Sequence, residues 1–347
     1  MNDTARTDPH LEELKTAVTK NQMPPELTKK LLEQLNRLER VFQAGGYNLE
    51  FDREVEYLKF ATSLPFSTSS QDILDLKRAA EILNQHHYGL QSVKDRILEY
   101  LSVLILNSKS GNATRSSVLA LVGLVGSGKT SLAYSIAEAL GRKIIRIPFG
   151  GLGSVKDLRG ESRLKSEAEP GRLMKAIAQA GVNNPIILLD EIDRIALEAR
   201  NDVMGILVEL LDPEQNWNFT DHYVDFPFDL SKALFIATGN NTANIATAVM
   251  DRLEIIEMPS YSDEEKIMIG KNYLLPRALK EAGLSSNILS IDDNLWPIIV
   301  RPLGYDGGIR SLQRHIQMVV RRVARQVVEG NIGPFKLNEQ SIGEYLQ

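Results

Sequence analysis

A lysine and a threonine behind a run of glycines, and two acids about sixty residues further on, have the types and spacing that suit phosphate chemistry. The first group, Gly123-Leu124-Val125-Gly126-Ser127-Gly128-Lys129-Thr130, fits the G-x-x-x-x-G-K-[ST] pattern and is followed by Ser131. Glycines in such a loop let backbone N–H groups turn inward around phosphate oxygens, and the helix that follows points its positive end at the same place. Lys129 can then reach the β- and γ-phosphates, and the Thr130 hydroxyl can ligate Mg²⁺. The second group, Asp190-Glu191, closes the apolar run Pro185-Ile186-Ile187-Leu188-Leu189. In an ATPase, Asp190 would help hold the metal and Glu191 would orient and activate the attacking water. Together the two groups call for ATP and Mg²⁺.

Three further residues are candidates, each with a plainer alternative. Asn240, after Thr238-Gly239, can hold the water or the γ-phosphate at a strand tip, or can be a turn residue that tolerates positive φ. Arg252 and Arg310 carry guanidinium groups that could stabilise charge on a γ-phosphate, in cis or from a neighbouring subunit. Spacing alone favours a surface ion pair for each.

The elements that must position these groups follow from hydrophobic period. Val118 to Val122 is a short β-branched-rich apolar run that reads as a buried strand. Leu132, Ile136 and Leu140 are spaced as one face of a helix, which Gly141 stops. Strand candidates at 117–122, 144–147, 186–189, 234–238 and 255–258 alternate with helical stretches, which predicts a parallel sheet covered on both faces. Upstream, residues 9 to about 44 read as helix broken at Pro24-Pro25, with Leu27, Leu31, Leu32, Leu35 and Leu38 forming a stripe that wants a partner helix. A Ser/Thr-rich link at 66–72 marks a boundary, and helices are expected at about 72–84 and 91–107. Beyond Ser260 no strand is expected, only helices at about 262–281, 292–300 and 307–329. The expected units are thus an arm at 1–69, an α/β unit at 70–260 and a small helical unit at 261–347.

The chain has 347 residues, 43% of them hydrophobic and 24% charged, which suits a globular protein of two or three units. With no cysteine, disulfides and thiolate metal sites are excluded. A net charge of −5 gives no general reason to bind nucleic acid or an anionic membrane. The polar start, Met1 to His10, lacks a secretory core, and no apolar run reaches the length of a bilayer span. The expectation is an intracellular soluble protein, cytoplasmic first, with a mitochondrial or peroxisomal lumen also compatible.

The strings His87-Tyr88-Gly89-Leu90, Val93-Lys94-Asp95-Arg96-Ile97-Leu98-Glu99-Tyr100-Leu101, Leu211-Asp212-Pro213-Glu214-Gln215-Asn216, Asp221-His222-Tyr223 and Gly308-Ile309-Arg310 go beyond a phosphate loop. With it, they resemble the ATPase segment of the Lon family of AAA+ proteases over roughly residues 10 to 330. The resemblance implies an AAA+ P-loop NTPase fold with a helical arm before it, the end of the family's N-terminal region, and a small helical lid after it. It implies that Tyr88 lines the adenine pocket, Asn240 is the strand-tip sensor, Arg252 is the finger offered to an adjacent subunit, and Arg310 is the lid residue sensing nucleotide. It also implies a homo-hexameric ring that unfolds protein substrates and threads them to a Ser-Lys protease chamber.

Departures from the family pattern bear on function. No stretch resembles the Ser-Lys peptidase site, so this polypeptide is not expected to cut peptide bonds. Where the family places an aromatic-aliphatic pair and glycine in its pore loop, this chain has Lys165-Ser166-Glu167, a hydrated tip that offers little grip. Trp217 stands where a second pore loop would be, as a grip or as a hairpin anchor. Leu124-Val125 replaces two prolines without touching the phosphate-binding positions. The leading expectation is an ATP-hydrolysing Lon-like module for protein quality control. The alternatives are an ATP-binding regulatory partner of a full-length Lon ring, and a DNA-binding ATPase, which the acidic balance and the lack of a basic cluster disfavour.

Overall fold

A five-stranded sheet at the centre of the computed structural model, which describes residues 9–46, 48–110, 117–301 and 307–346, carries the phosphate loop, Asp190, Glu191 and Asn240 at its carboxyl edge. Its strands are β1 (Val118–Gly123), β2 (Ile144–Pro148), β3 (Ile186–Asp190), β4 (Leu234–Gly239) and β5 (Leu253–Met258). They run parallel in the order β2-β3-β4-β1-β5. Successive side chains of a strand face opposite ways. Val118 and Ala120 therefore enter one apolar cluster while Leu119 and Leu121 enter another. Both faces need cover, which explains why the strands are apolar almost throughout. The polar start at residues 1–8 lies outside the described residues. Among the described residues, no helix is long and apolar enough to cross a membrane.

The N-terminal arm satisfies its own leucine stripe. Helices α1 (Pro9–Lys20), α2 (Pro25–Gln43) and α3 (Leu49–Ser63) bury Leu27, Leu31, Leu35 and Leu38 against Leu11, Leu14, Val18, Phe51 and Leu58. Each leucine so buried stabilises the arm by ~2 kcal/mol before chain entropy is counted. The partner the stripe wanted is thus within the arm, and Leu32 is only partly buried. Tyr57 joins the arm to the sheet unit: its hydroxyl donates to the Val224 carbonyl at 3.1 Å, and the Arg163 guanidinium lies 3.6 Å from its ring centre.

One expectation about the following segment is corrected. The helix expected from 72 begins later, as α4 (Leu76–His86), because Asp75 caps it by accepting from the Lys77 and Arg78 N–H groups. Asp72 is taken by Arg142, which grips both carboxylate oxygens at 2.7 Å. The Ser/Thr-rich link is held down: Asn183 and Asn184 bind Ser69 and Ser70 through side-chain amides. After α5 (Gln91–Lys109) come β1 and α6 (Lys129–Leu140), and α7 (Arg172–Ala180) and α8 (Arg200–Leu210) flank β3.

The C-terminal unit contains a short strand pair that the sequence did not announce. Leu289–Ile291 pairs in parallel with Phe335–Leu337, three residues each, too short for a period to register. The helix expected over 262–281 is interrupted by a π-helical stretch at Gly270–Leu274. A side chain at Gly270 would begin 2.5 Å from the Trp296 ring, so the close approach of Trp296 requires glycine there. Arg310–Val328 forms the long helix α9, which closes this unit's own apolar core.

Between α4 and α5 the turn His87-Tyr88-Gly89 is pinned from two sides, by α6 and by α5. His87 Nε2 lies 2.9 Å from the Ser135 hydroxyl, and buried Lys94 donates to the His87 carbonyl at 2.6 Å. Burial, with the neighbouring His86 and Lys94, pushes the His87 imidazole down to about 4. The unfolded chain then takes up a proton that the folded chain refuses, so His87 stabilises the fold fully above its ordinary value of 6.5 and loses that stabilisation as pH falls toward 4. By pH 5 this single group should cost ~2 kcal/mol relative to pH 7. Denaturant titrations at the two pH values should show the loss in the natural chain and a smaller one in His87→Gln; equal losses would remove the assignment.

Candidate active site

The phosphate loop is held in its shape by the absence of side chains. Gly126 and Gly128 have φ of +83° and +94°, a region that L-residues avoid. A Cβ at Gly128 would lie 3.3 Å from the Tyr261 hydroxyl, which donates to the Ser127 carbonyl at 3.2 Å. The lid unit closes directly on this loop. Ile309 N–H donates to the Gly126 carbonyl at 3.1 Å, and a Cβ at Gly308 would fall 2.2 Å from the Val125 carbonyl oxygen.

Lys129, the first residue of α6, is buried under that loop with only 8% of its surface exposed. Its Nζ donates to the carbonyls of Gly123 at 2.7 Å and Leu124 at 2.9 Å, and to Asn240 Oδ1 at 3.2 Å. The sheet order explains the last contact: β4 lies beside β1, with Val122 opposite Gly239, so the tip of β4 reaches across to the lysine. Burial lowers the pKa of Lys129, and the nearby carboxylates of Asp193, Asp190 and Glu191 oppose that shift.

The two acids sit one strand further on and share one hydroxyl. Thr238 Oγ1 donates to Asp190 Oδ1 at 2.5 Å and accepts the Glu191 N–H at 3.0 Å. Glu191 adopts φ +59°, which turns the chain sharply where β3 ends. Its carboxylate lies 3.4 Å from Arg194 and packs beside Gly150, where a Cβ would come within 3.0 Å of Oε2. Asp190 Oδ2 is held by Arg146 of β2, whose Nε and Nη2 lie at 2.7 and 2.6 Å.

Lys129, Thr130, Asp190, Glu191, Asn240 and Arg310 line one cavity of about 250 Å³, together with Val125, Gly126, Gly128, Ser131 and Arg146. The donors around it fit a phosphate group. Ser127 Oγ and Asn240 Nδ2 are buried polar atoms without a protein partner, and such an atom costs roughly 1–3 kcal/mol unless a ligand or water satisfies it. Asp193 Oδ1 is a buried acceptor in the same condition. Thr130 and Asp190 offer hard oxygen donors of the kind Mg²⁺ takes.

Five of the expected residues do not line this cavity: Gly123, Leu124 and Ser127 of the loop itself, and Arg252 and Tyr88. Arg252 lies outside it, with Nη2 on Asp212 Oδ2 at 2.9 Å and Nη1 on the Ala248 carbonyl at 2.8 Å. Tyr88 also lies outside, partly buried against the apolar cluster that includes Ile136 and Ile269. Conversely, Arg146, Thr238, Asp193 and Arg194 were not singled out from the sequence. Arg146 had a visible signal, a charge in the middle of the strand Ile144-Ile145-Arg146-Ile147. The loop expected to face a pore shows Leu164 almost wholly exposed at 97%, while Trp217 is 58% exposed with its indole N–H on the Glu214 carbonyl.

Comparison with known proteins agrees with this geometry. Residues 119–261 match the ATPase family associated with various cellular activities (AAA), and residues 280–335 match the Lon protease AAA+ ATPase lid domain. A Lon protease of Lawsonia intracellularis is 43% identical over 346 residues, which is 100% of this chain and 41% of that protein. A Lon protease of Geobacter metallireducens is 40% identical over 98% of this chain and 41% of its own length. One of Aquifex aeolicus is 42% identical over 93% of this chain and 40% of its own length. The chain therefore spans about two fifths of the length of the curated relatives it matches. An AAA match on the sheet, a Lon lid match on the helices behind it, and such likeness across nearly the whole chain put this protein in the Lon protease family, in the ATPase segment of that family.

Proposed function

We propose that this chain binds ATP with Mg²⁺ and hydrolyses it, as the motor segment of a Lon-type assembly. The observation that carries the proposal is the buried Lys129 bonded to Asn240, whose own Nδ2 is unsatisfied, with Asp190 and Glu191 across one cavity. When bound, the magnesium nucleotide supplies the phosphoanhydride bond that is cleaved and a metal that spreads charge over its oxygens. The chain's own residues bind and orient it. Lys129 and the loop N–H groups hold phosphate oxygens, Thr130 and Asp190 hold the metal, and Asn240 fixes the water or γ-phosphate. Glu191 takes the proton of the attacking water, for which its carboxylate must leave Arg194. Arg310 senses the nucleotide from the lid, and Tyr88 flanks the base. Three units, an arm at 1–69, the ATPase at 70–260 and the lid at 261–347, serve this work, which the separate apolar cores of arm and lid support.

The purified chain should release phosphate from ATP only with Mg²⁺ present. Lys129→Ala and Glu191→Gln should each lower turnover by about 10²-fold or more, the latter with nucleotide binding retained. Normal turnover in Glu191→Gln would remove the role given to that carboxylate.

We further propose a homo-hexameric ring in which Arg252 completes the neighbour's site, acting on protein substrates. Arg252 does not reach its own cavity, which supports a role across an interface, and Asp212 holds it in the free subunit. Sedimentation with ATP should show a ring, and Arg252→Ala should assemble and bind ATP yet turn over about 10²-fold slower. A chain that stays monomeric with ATP would rule out the trans role.

One observation favours the alternative of a regulatory partner that joins a full-length Lon ring without threading. The loop tip is polar, with Lys165 bound to Glu161 at 3.1 Å. Against it, Leu164 and Trp217 remain exposed apolar groups that can grip an extended chain. One feature favours the DNA-binding alternative: Arg314, Arg321, Arg322 and Arg325 line one groove along α9. Retention of duplex DNA that weakens steeply with salt would favour that alternative.

A further inference from the structure

Both oxygens of Asp190 are engaged. Oδ1 accepts the Thr238 hydroxyl, and Oδ2 takes two N–H groups of Arg146 at 2.7 and 2.6 Å. The strand register accounts for the reach: Pro148 lies opposite Asp190, and Arg146, two residues back on the same face of β2, extends along the strand to the carboxylate. The pair is unequal in exposure. The Asp190 side chain is 6% exposed and the Arg146 side chain 51%, and both line the cavity that holds Lys129 and Thr130. A buried carboxylate needs a counter-charge, and a guanidinium supplies one that does not deprotonate. Lys129 does not serve, since its Nζ is turned to two carbonyls and Asn240.

A divalent cation and a guanidinium cannot share Oδ2. They repel each other, and the fork of Arg146 covers the lone pairs that a metal would use. We propose that Arg146 is the resting counter-ion of Asp190 and that it must release Oδ2 before Asp190 can take a metal. Arg146 is then a positioning residue that sets the Mg²⁺ concentration at which the site loads. The proposal rests on the magnesium-nucleotide function given above. It separates two groups of opposite exposure: Asp190, buried and bonded to Thr238 within the sheet, and Arg146, whose side chain is half in solvent.

The test reads binding, not turnover. A fluorescent ADP analogue is titrated onto the full chain at fixed concentration while Mg²⁺ is varied. Arg146→Met should lower the Mg²⁺ concentration at half-saturation by about tenfold, and Arg146→Lys, which keeps the charge but loses the fork, by less. A gain in metal affinity is not what damage to the fold would produce. An unchanged or raised half-saturation in a folded Arg146→Met protein overturns the proposal while leaving the nucleotide function intact. Failure of the natural chain to bind the analogue with Mg²⁺ overturns both. Should Arg146→Met not fold, the natural chain decides: the Arg146 Nε–H signal in nitrogen-resolved NMR should move on adding Mg-ADP but not ADP with a chelator. A signal unmoved by saturating Mg-ADP overturns the proposal.

Discussion

A buried lysine facing a row of acids across the ends of three parallel strands is the constraint on which this structure turns. Burial disfavours the charge on Lys129, while Asp193, Asp190 and Glu191 favour it. The balance holds only if β1, β4 and β3 end at the same level and in that order. Their apolar interiors give that alignment, because strands covered on both faces cannot slip by one residue without moving a polar group into an apolar cluster. The chemistry at the edge is thus secured by packing several residues away from it.

Much of this was legible in the chain. The five strands, the phosphate loop and the two acids follow from local runs of residues, and all fall where their spacing puts them. What stayed hidden depends on which strands are neighbours, and local pattern does not encode that. Thr238 joins Asp190 to Glu191 only because β4 lies beside β3, and Arg146 meets Asp190 only because β2 takes the other side. Helix starts were misjudged for a related reason. Asp72, where the helix is expected to begin, is claimed by Arg142, seventy positions along, and the cap falls to Asp75. The lid strands were missed because three residues carry no measurable period.

The arm shows how a distant unit is tied to the same edge. Arg163, at the root of the exposed loop that ends in Lys165-Ser166-Glu167, stacks on Tyr57 of the arm, and Tyr57 in turn holds the Val224 carbonyl. Asp221, buried beside them, accepts N–H groups from Gly171, Tyr223 and Val224 and so ties the loop's far end to the same turn at 221–224. Stem and arm form one joint, while only the tip is left to solvent.

The seam between lid and phosphate loop has a mechanical consequence. With Gly308 seated on the Val125 carbonyl and Ile309 bonded to Gly126, nothing compressible separates the two backbones. A rotation of the helical unit is therefore transmitted to the loop without slack, like two gears cut to mesh tooth on tooth. The stiffness of two facing backbones thus makes the helical unit and the loop a single hinge plate.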